Sequence, residues 1–135
     1  MKDYLFVYGT LRRKYDLKLK DRLMPFLEYV GQAKVGAALY DLGRYPGAVK
    51  DKTGPEVIGD VFLIRDAARV LLVLDEYEGI QPDRKGEFIR EKGRVRLRGG
   101  RQLPAWIYWY NADPAGKVRI RYKDYLNYLK NKSIH

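Results

Sequence analysis

Tyr4-Leu5-Phe6-Val7-Tyr8-Gly9-Thr10-Leu11-Arg12-Arg13 is the stretch on which the fold of this chain turns. Leu5, Phe6 and Val7 form a short apolar run bounded by Gly9, the pattern of a buried strand that ends in a tight turn. Thr10 is a candidate helix N-cap, followed by polar residues that a helix tolerates. Strand, glycine, hydroxyl residue and helix start, in that order, bring free backbone N–H groups to one point. Such a point favours a carboxylate or a phosphate. Gly9 leaves room for the backbone itself to touch a ligand. Most strand–glycine–helix turns bind nothing, so these residues alone are only a candidate site.

Composition narrows what such a site could do. The 135 residues are enough for one domain with a real core. No apolar run reaches the roughly 18 residues a membrane helix needs. The chain enters its first expected strand at once, which leaves no space for a signal peptide. Cysteine is absent, which removes disulfides, thiol catalysis and thiolate metal sites and fits a cytoplasmic protein. The one histidine is His135, the last residue, so a Ser-His-Asp triad or a multi-histidine zinc site has nothing to stand on. Any catalysis must use carboxylates, hydroxyls, lysines or the backbone. Twenty-seven basic residues face 17 acidic ones, with only three Asn and three Gln. That ion-rich, amide-poor, cysteine-free balance is the habit of a heat-adapted protein. The net charge of +10 reads as a solvated surface.

Further along, Asp16–Met24 has the pattern of a helix, with Leu19 and Leu23 on one face and Pro25 as its stop. Leu27–Val30 and Val35–Tyr40 read as short strands separated by Gly31. Tyr40–Val49, with two glycines and Pro46, reads as a loop whose tyrosines and leucine tuck against the core. Val57–Ile64 is a strand by its branched and aromatic residues. Asp66 can cap a helix from Ala67 to about Tyr77, with Val70, Leu71, Val73 and Leu74 as its apolar stripe.

That helix runs into Leu74-Asp75-Glu76-Tyr77-Glu78-Gly79. Gly79 is a C-terminal stop, and three carboxylates beside it sit at the negative end of a helix, where proton affinity rises. Glu78 falls below the core residue Leu74, while Asp75 and Glu76 point elsewhere. An acidic surface turn is the plain alternative.

Arg90, Lys92, Arg94, Arg96 and Arg98 alternate along one strand face, about 7 Å apart. That could track a polyanion, but the wet face of a half-buried strand is the commoner meaning. Gly99-Gly100 signals a hairpin turn, with Pro104–Tyr110 as the return strand, central or curled into a barrel. Ile120–Lys130 reads as a helix with Tyr122, Leu126 and Leu129 on one side. Its tyrosines read as packing sooner than as a nucleic-acid surface.

These pieces together resemble the gamma-glutamylcyclotransferase-like (AIG2-like) family. The resemblance rests on Tyr8-Gly9-Thr10-Leu11-Arg12, then Leu39-Tyr40-Asp41-Leu42-Gly43-Arg44-Tyr45-Pro46. Val57–Phe62, Leu74–Gly79 and Ala105–Tyr108 follow in the family's order. It covers Tyr4 to about Tyr110. One departure stands out: Phe88, in Glu87-Phe88-Ile89-Arg90, occupies the place of a usual tyrosine. The resemblance implies an α+β fold, a small mixed β-barrel with peripheral helices and a cavity at one mouth, as a single domain over 1–135. It implies cyclisation of a gamma-glutamyl group to 5-oxoproline with release of an amine or amino acid. Glu78 is carried over as the acid/base, and Tyr8, Gly9, Thr10 and Leu11 as the substrate-binding loop, with no metal and no cofactor.

The chemistry is consistent with that assignment. The substrate's own α-amine is the nucleophile, so no Ser, Cys or His is required. One base must take a proton from the α-ammonium and pass it to the leaving amine. An ordinary carboxylate near ~4.3 matches an ammonium near ~8 poorly. Burial would raise it toward the useful range, and the Gly9–Leu11 backbone could supply donors to a carboxylate or oxyanion. Two alternatives remain at this level. One is a non-catalytic barrel that binds a small carboxylate metabolite; the other is a basic nucleic-acid-binding module. The aromatic strand and tyrosine-rich tail offer a face for a homodimer.

Overall fold

A computed structural model of the chain describes residues 2–9, 21–43, 45–121 and 123–132. Its innermost strand is β1 (Asp3–Val7), where Leu5 and Phe6 are each 1% exposed. Period two sends alternate side chains to opposite faces. Phe6 and Tyr8 accordingly enter one core cluster, while Leu5 and Val7 enter another. A strand with a core on each side has no wet face, which is why its residues form a run and do not alternate with polar ones.

Among the described residues six more strands follow: β2 (Leu27–Asp41), β3 (Pro46–Lys50), β4 (Glu56–Ile64), β5 (Phe88–Leu97), β6 (Gln102–Tyr110) and β7 (Val118–Ile120). Five of the seven described strands close a barrel in the order β2-β4-β1-β6-β5, sealed by pairing of Ala33 with Leu97 and Lys34 with Arg96. β1 and β6 run parallel and the other neighbours antiparallel, so the barrel is mixed. β3 and β7 extend the far half of β2. The two helices are α1 (Ala67–Glu78) and α2 (Tyr125–Lys132), each peripheral to the barrel.

Several local expectations change. Gly31 does not separate two strands. A bulge between Tyr29 and Gly31 bends one 15-residue strand around the barrel, because an extra residue raises twist without ending the pairing. The expected loop over Tyr40–Val49 is a hairpin. Leu42 N–H donates to Tyr45 O at 3.0 Å, Gly43 N–H donates to Asp41 Oδ1 at 2.8 Å, and Pro46 begins β3 where no ladder donor is lost. Asp66 makes no side-chain cap bond. Its left-handed backbone (φ 52°) lacks the extended geometry of a cap, and its carboxylate lies 3.4 Å from Arg69 Nε. Ile120 ends β7, buried, and the final helix starts only at Tyr125, after Asp124 Oδ1 accepts from Leu126 N–H at 2.9 Å. Of the helix expected over Asp16–Met24, residues 21–23 are helical and pass into a 3₁₀ turn at Met24–Phe26; the rest lies outside the described residues.

The alternating basic strand is β5, with Lys92, Arg94 and Arg96 exposed and Val95 fully buried. Arg98 falls in the hairpin turn beyond it, where Gly99 and Gly100 have φ of 96° and 98°. Tyr125 and Tyr128 stack at 6.2 Å, and the Tyr128 hydroxyl donates to Asp41 Oδ2 at 2.7 Å, which fastens α2 to the end of β2. Tyr122 lies outside the described residues. Among the described residues, no helix is long and apolar enough to cross a membrane.

α1 lies on the outside of the barrel. Its buried residues Val70, Leu71 and Leu74 meet Leu5 and Val7 of β1 and Phe88 and Tyr108 of β5 and β6. Leu74→Ala is therefore expected to cost about 2–5 kcal/mol in denaturant unfolding. Leu72→Ala, at a position 64% exposed on the same helix, should stay within about 0.5 kcal/mol.

Candidate active site

The end of β1, the start of β3, the last turn of α1 and the start of β5 converge on a cavity of about 290 Å³. Tyr8, Gly9 and Glu78 all line it, so the β1 bend and a glutamate some 70 residues later in the sequence share one cavity. Thr10 and Leu11, the other two expected loop residues, lie outside the described residues.

Glu78 arrives through the end of α1. Gly79 adopts the left-handed conformation (φ 68°) that glycine tolerates, its N–H donates to Glu76 O at 3.2 Å, and Ile80 N–H donates to Asp75 O at 2.9 Å. The helix therefore stops at Glu78, which stands half-buried against the cavity. Burial, and then the negative charge of Glu87, push its carboxyl up to about 7. The sequence offered both burial and the helix end as causes of such a rise; burial is the largest cause and Glu87 the next.

Asp75 faces the barrel wall. Arg90 donates to both of its oxygens, from Nε at 2.8 Å and Nη2 at 3.2 Å, and the Tyr108 hydroxyl donates to Oδ1 at 2.7 Å. The guanidinium lies 4.4 Å from the Trp106 ring centre. Arg90 and Tyr108 are cross-strand partners in the β5–β6 ladder, which sets both donors opposite one helix position. Burial and the Asp75 bond raise the Tyr108 phenol far above its usual range, so it stays a donor. Glu76, expected to point away, reaches the cavity rim.

Tyr8 is buried, and its hydroxyl is committed: it donates to Tyr108 O at 2.6 Å and accepts from Ala48 N–H at 3.1 Å. Burial raises its proton affinity well beyond that of a free phenol. The hydroxyl thus ties β1 to β6 and β3. Gly9 runs tight over Pro46; a Cβ there would stand 2.9 Å from Pro46 Cγ. On that side the room expected for a ligand is filled by the proline.

The sequence reading missed Tyr45, Glu87 and Tyr108. Tyr45, in the turn before β3, donates through its hydroxyl to Glu87 Oε1 at 2.8 Å, with Oε2 at 2.9 Å. Burial and that carboxylate push the phenol up to about 12. Phe88, 4% exposed, sits 5.8 Å from Tyr45 and 5.9 Å from Tyr110 between ring centres. The hydroxyl absent at Phe88 thus has a phenol next to it in space. Glu87 stood beside the flagged Phe88 and Tyr45 within the Leu39–Pro46 motif, but no local pattern joined the two. Among the described residues, no group of three or more His, Cys, Asp or Glu could hold a metal ion.

Comparison with known proteins adds the following. Residues 5–127 match the family described as gamma-glutamyl cyclotransferase, AIG2-like. A curated relative from Methanocaldococcus jannaschii, named "Putative gamma-glutamylcyclotransferase MJ1514", is 28% identical over 129 residues, covering 91% of this chain and 98% of its own length. The solution structure of ytfP from Escherichia coli overlays with a TM-score of 0.63 at 31% identity, covering 93% of this chain and 97% of that one. The crystal structure of PH0828 from Pyrococcus horikoshii overlays at 0.70 with 22% identity, covering 98% of each chain, a likeness of fold.

The state of Glu78 has a measurable consequence. An ordinary Glu loses its proton at 4.5 and this one at about 7, so the unfolded chain deprotonates first. Stability is therefore lost as pH rises from about 4.5 to about 7, and the loss is complete above that window. Glu78→Gln removes this penalty. The variant is expected to match the wild type near pH 4 and to exceed it by about 1–3 kcal/mol near pH 8 in urea unfolding. An equal offset at the two pH values would contradict the burial of this carboxyl.

Proposed function

Because the chain belongs to the gamma-glutamyl cyclotransferase, AIG2-like family, we propose that it converts a small γ-glutamyl amide to 5-oxoproline and a free amine. Glu78 is the proton carrier in this reading. The observation that supports it most is a half-buried carboxyl, raised to about 7, on the same cavity as the Tyr8–Gly9 bend.

In the proposed reaction Glu78 takes a proton from the substrate's α-ammonium. The freed nitrogen lone pair attacks the γ-carbonyl carbon and forms the ring C–N bond. As the tetrahedral intermediate collapses, the bond to the departing nitrogen breaks and Glu78 returns the proton to that nitrogen; the second proton shed by the ring nitrogen leaves with the amine, which departs as an ammonium ion. No water or other reactant is consumed. An affinity near 7 lets one group both accept and return the proton at neutral pH, which a carboxyl at its ordinary value does poorly. The backbone N–H groups of Gly9, Thr10 and Leu11 are the proposed donors to the substrate carboxylate or the oxyanion. Positioning the amine against the carbonyl is the cavity's other contribution. Tyr8 acts as support for the bend, since both of its hydroxyl bonds go to backbone.

The test is release of 5-oxoproline from a panel of γ-glutamyl compounds. Glu78→Gln, with its fold checked by circular dichroism, should lower turnover by about 10²–10⁴-fold. Wild-type kcat/KM should rise with pH and reach half its plateau near 7, because the deprotonated carboxylate is the active form. Turnover undiminished in the variant would reject Glu78 as the carrier, and no product from any compound would reject the cyclisation.

A further inference from the structure

The barrel closes on a pair of cations. At the seam between β2 and β5, Lys34 stands directly opposite Arg96. Like charges at facing positions of a ladder weaken it. One carboxylate answers them: Arg96 Nη2 donates to Glu56 Oε2 at 2.8 Å. Lys34 makes no ion pair among the described residues.

The cations continue from the seam in both directions along β5. Lys92, Arg94 and Arg96 share its outer face, about 7 Å apart, and Arg98 follows on the turn. Their ladder neighbours on β6 are Trp106, Pro104 and Gln102, none of them an acid. Arg94 and Arg98 make no ion pair among the described residues, and Lys92 lies 4.9 Å from the Trp106 ring centre. Nearer the start of the strand the cations are neutralised. Asp75 holds Arg90, and Glu91 holds both Lys50 and Arg84. A solvated strand face accounts for exposed cations, but not for carboxylates gathered at one end of β5 and scarce at the other.

Beside the seam the surface is recessed. Hollows of about 360 and 410 Å³, which share Gln32, Leu97 and Arg98, run between the bulged part of β2 and the turn at Gly99 and Gly100. Lys34, Arg96 and Arg98 line this groove, and no Asp or Glu does among the described lining residues. Tyr29, 58% exposed, borders it. Phe62 braces the Tyr29 ring at 5.6 Å between ring centres, and the Tyr29 hydroxyl donates to Asp60 Oδ1 at 3.4 Å.

We propose that this groove is a second binding site, for single-stranded nucleic acid. Phosphates follow Lys34 and the row from Lys92 to Arg98, and a base stacks on Tyr29. A row of cations at regular intervals suits a chain of phosphates, whereas a lone phosphate needs donors that converge on one point. A recess admits a strand and keeps out a flat lipid surface. An exposed ring beside cations is a platform for any base, since every base has a π-face. The groove lies at the end of β5 and the active-site cavity at its start, about 30 Å away along the strand, so binding here does not depend on the cyclisation.

The test is fluorescence anisotropy of a labelled oligouridylate of about 16 nucleotides with the full chain. Four phosphate contacts, at about 0.7 each, give an expected slope of about −2 to −3 in log affinity against log salt. Arg94→Gln combined with Arg98→Gln should weaken binding by on the order of tenfold and flatten that slope by about 1.4. Tyr29→Ala should also weaken binding by on the order of tenfold, with the slope unchanged, because it removes stacking and no charge. Lys85→Gln combined with Lys117→Gln takes the same charge from exposed loop positions outside the groove. At physiological ionic strength that pair should stay within about twofold of wild type. Circular dichroism checks the fold of each variant. Equal losses in the two double variants would reduce the effect to net charge and overturn the proposal. So would failure to bind the oligomer, including the case in which the chain is instead retained on vesicles of phosphatidylserine and phosphatidylcholine.

Discussion

The paired bond from Arg90 to Asp75 is the constraint on which the site depends. It fastens the last turn of α1 to the wall made by β5 and β6, one helical turn before Glu78. The pair is only partly buried, so its net contribution to stability is modest once the two charges have been desolvated. Its consequence is positional. A two-point guanidinium fork, a tyrosine hydroxyl and a ring beneath the guanidinium leave the helix end little freedom to rotate. Rotated by one residue, α1 would turn Glu78 away from the cavity and put Tyr77 or Gly79 in its place.

The same economy of parts appears in β1. One strand feeds two cores, Phe6 and Tyr8 on one face and Leu5 and Val7 on the other. The cavity lies where those cores meet, at the seam between the barrel and α1, and not down the barrel axis, which side chains fill. The Tyr8 hydroxyl joins three strands at that seam through two backbone bonds. A pocket formed this way has walls from four separate elements, so each can be altered in side chain without opening the barrel itself.

Holding a carboxyl half out of water carries a stability cost at neutral pH, of the kind functional sites commonly impose on their folds. Glu87 enlarges that cost by adding a like charge nearby, yet its bond to Tyr45 keeps it there. The cavity thus gathers negative charge within a strongly basic chain, a local field opposite in sign to the global one.

The sequence by itself determined the elements whose signals are local. Leu5-Phe6-Val7 declared a strand buried on both faces, Gly79 a helix stop, Gly99-Gly100 a hairpin, and the absence of cysteine with a lone terminal histidine removed whole classes of chemistry. Order of motifs, more than any one of them, pointed to the family and through it to Glu78. Tertiary structure alone decided what depends on register and approach. Gly31 reads as a break in sequence and becomes a bulge because β4 continues to pair across it. Tyr8 reads as a ligand residue, yet its hydroxyl meets Ala48 and Tyr108, 40 and 100 residues away. Tyr45 and Glu87, 42 residues apart, become neighbours only when the barrel closes, and no spacing rule reaches that far. Local backbone preference and hydrophobic period are written in consecutive residues. The burial that tunes a carboxyl, and the partner that holds another over a cavity mouth, come into being only when distant segments pack.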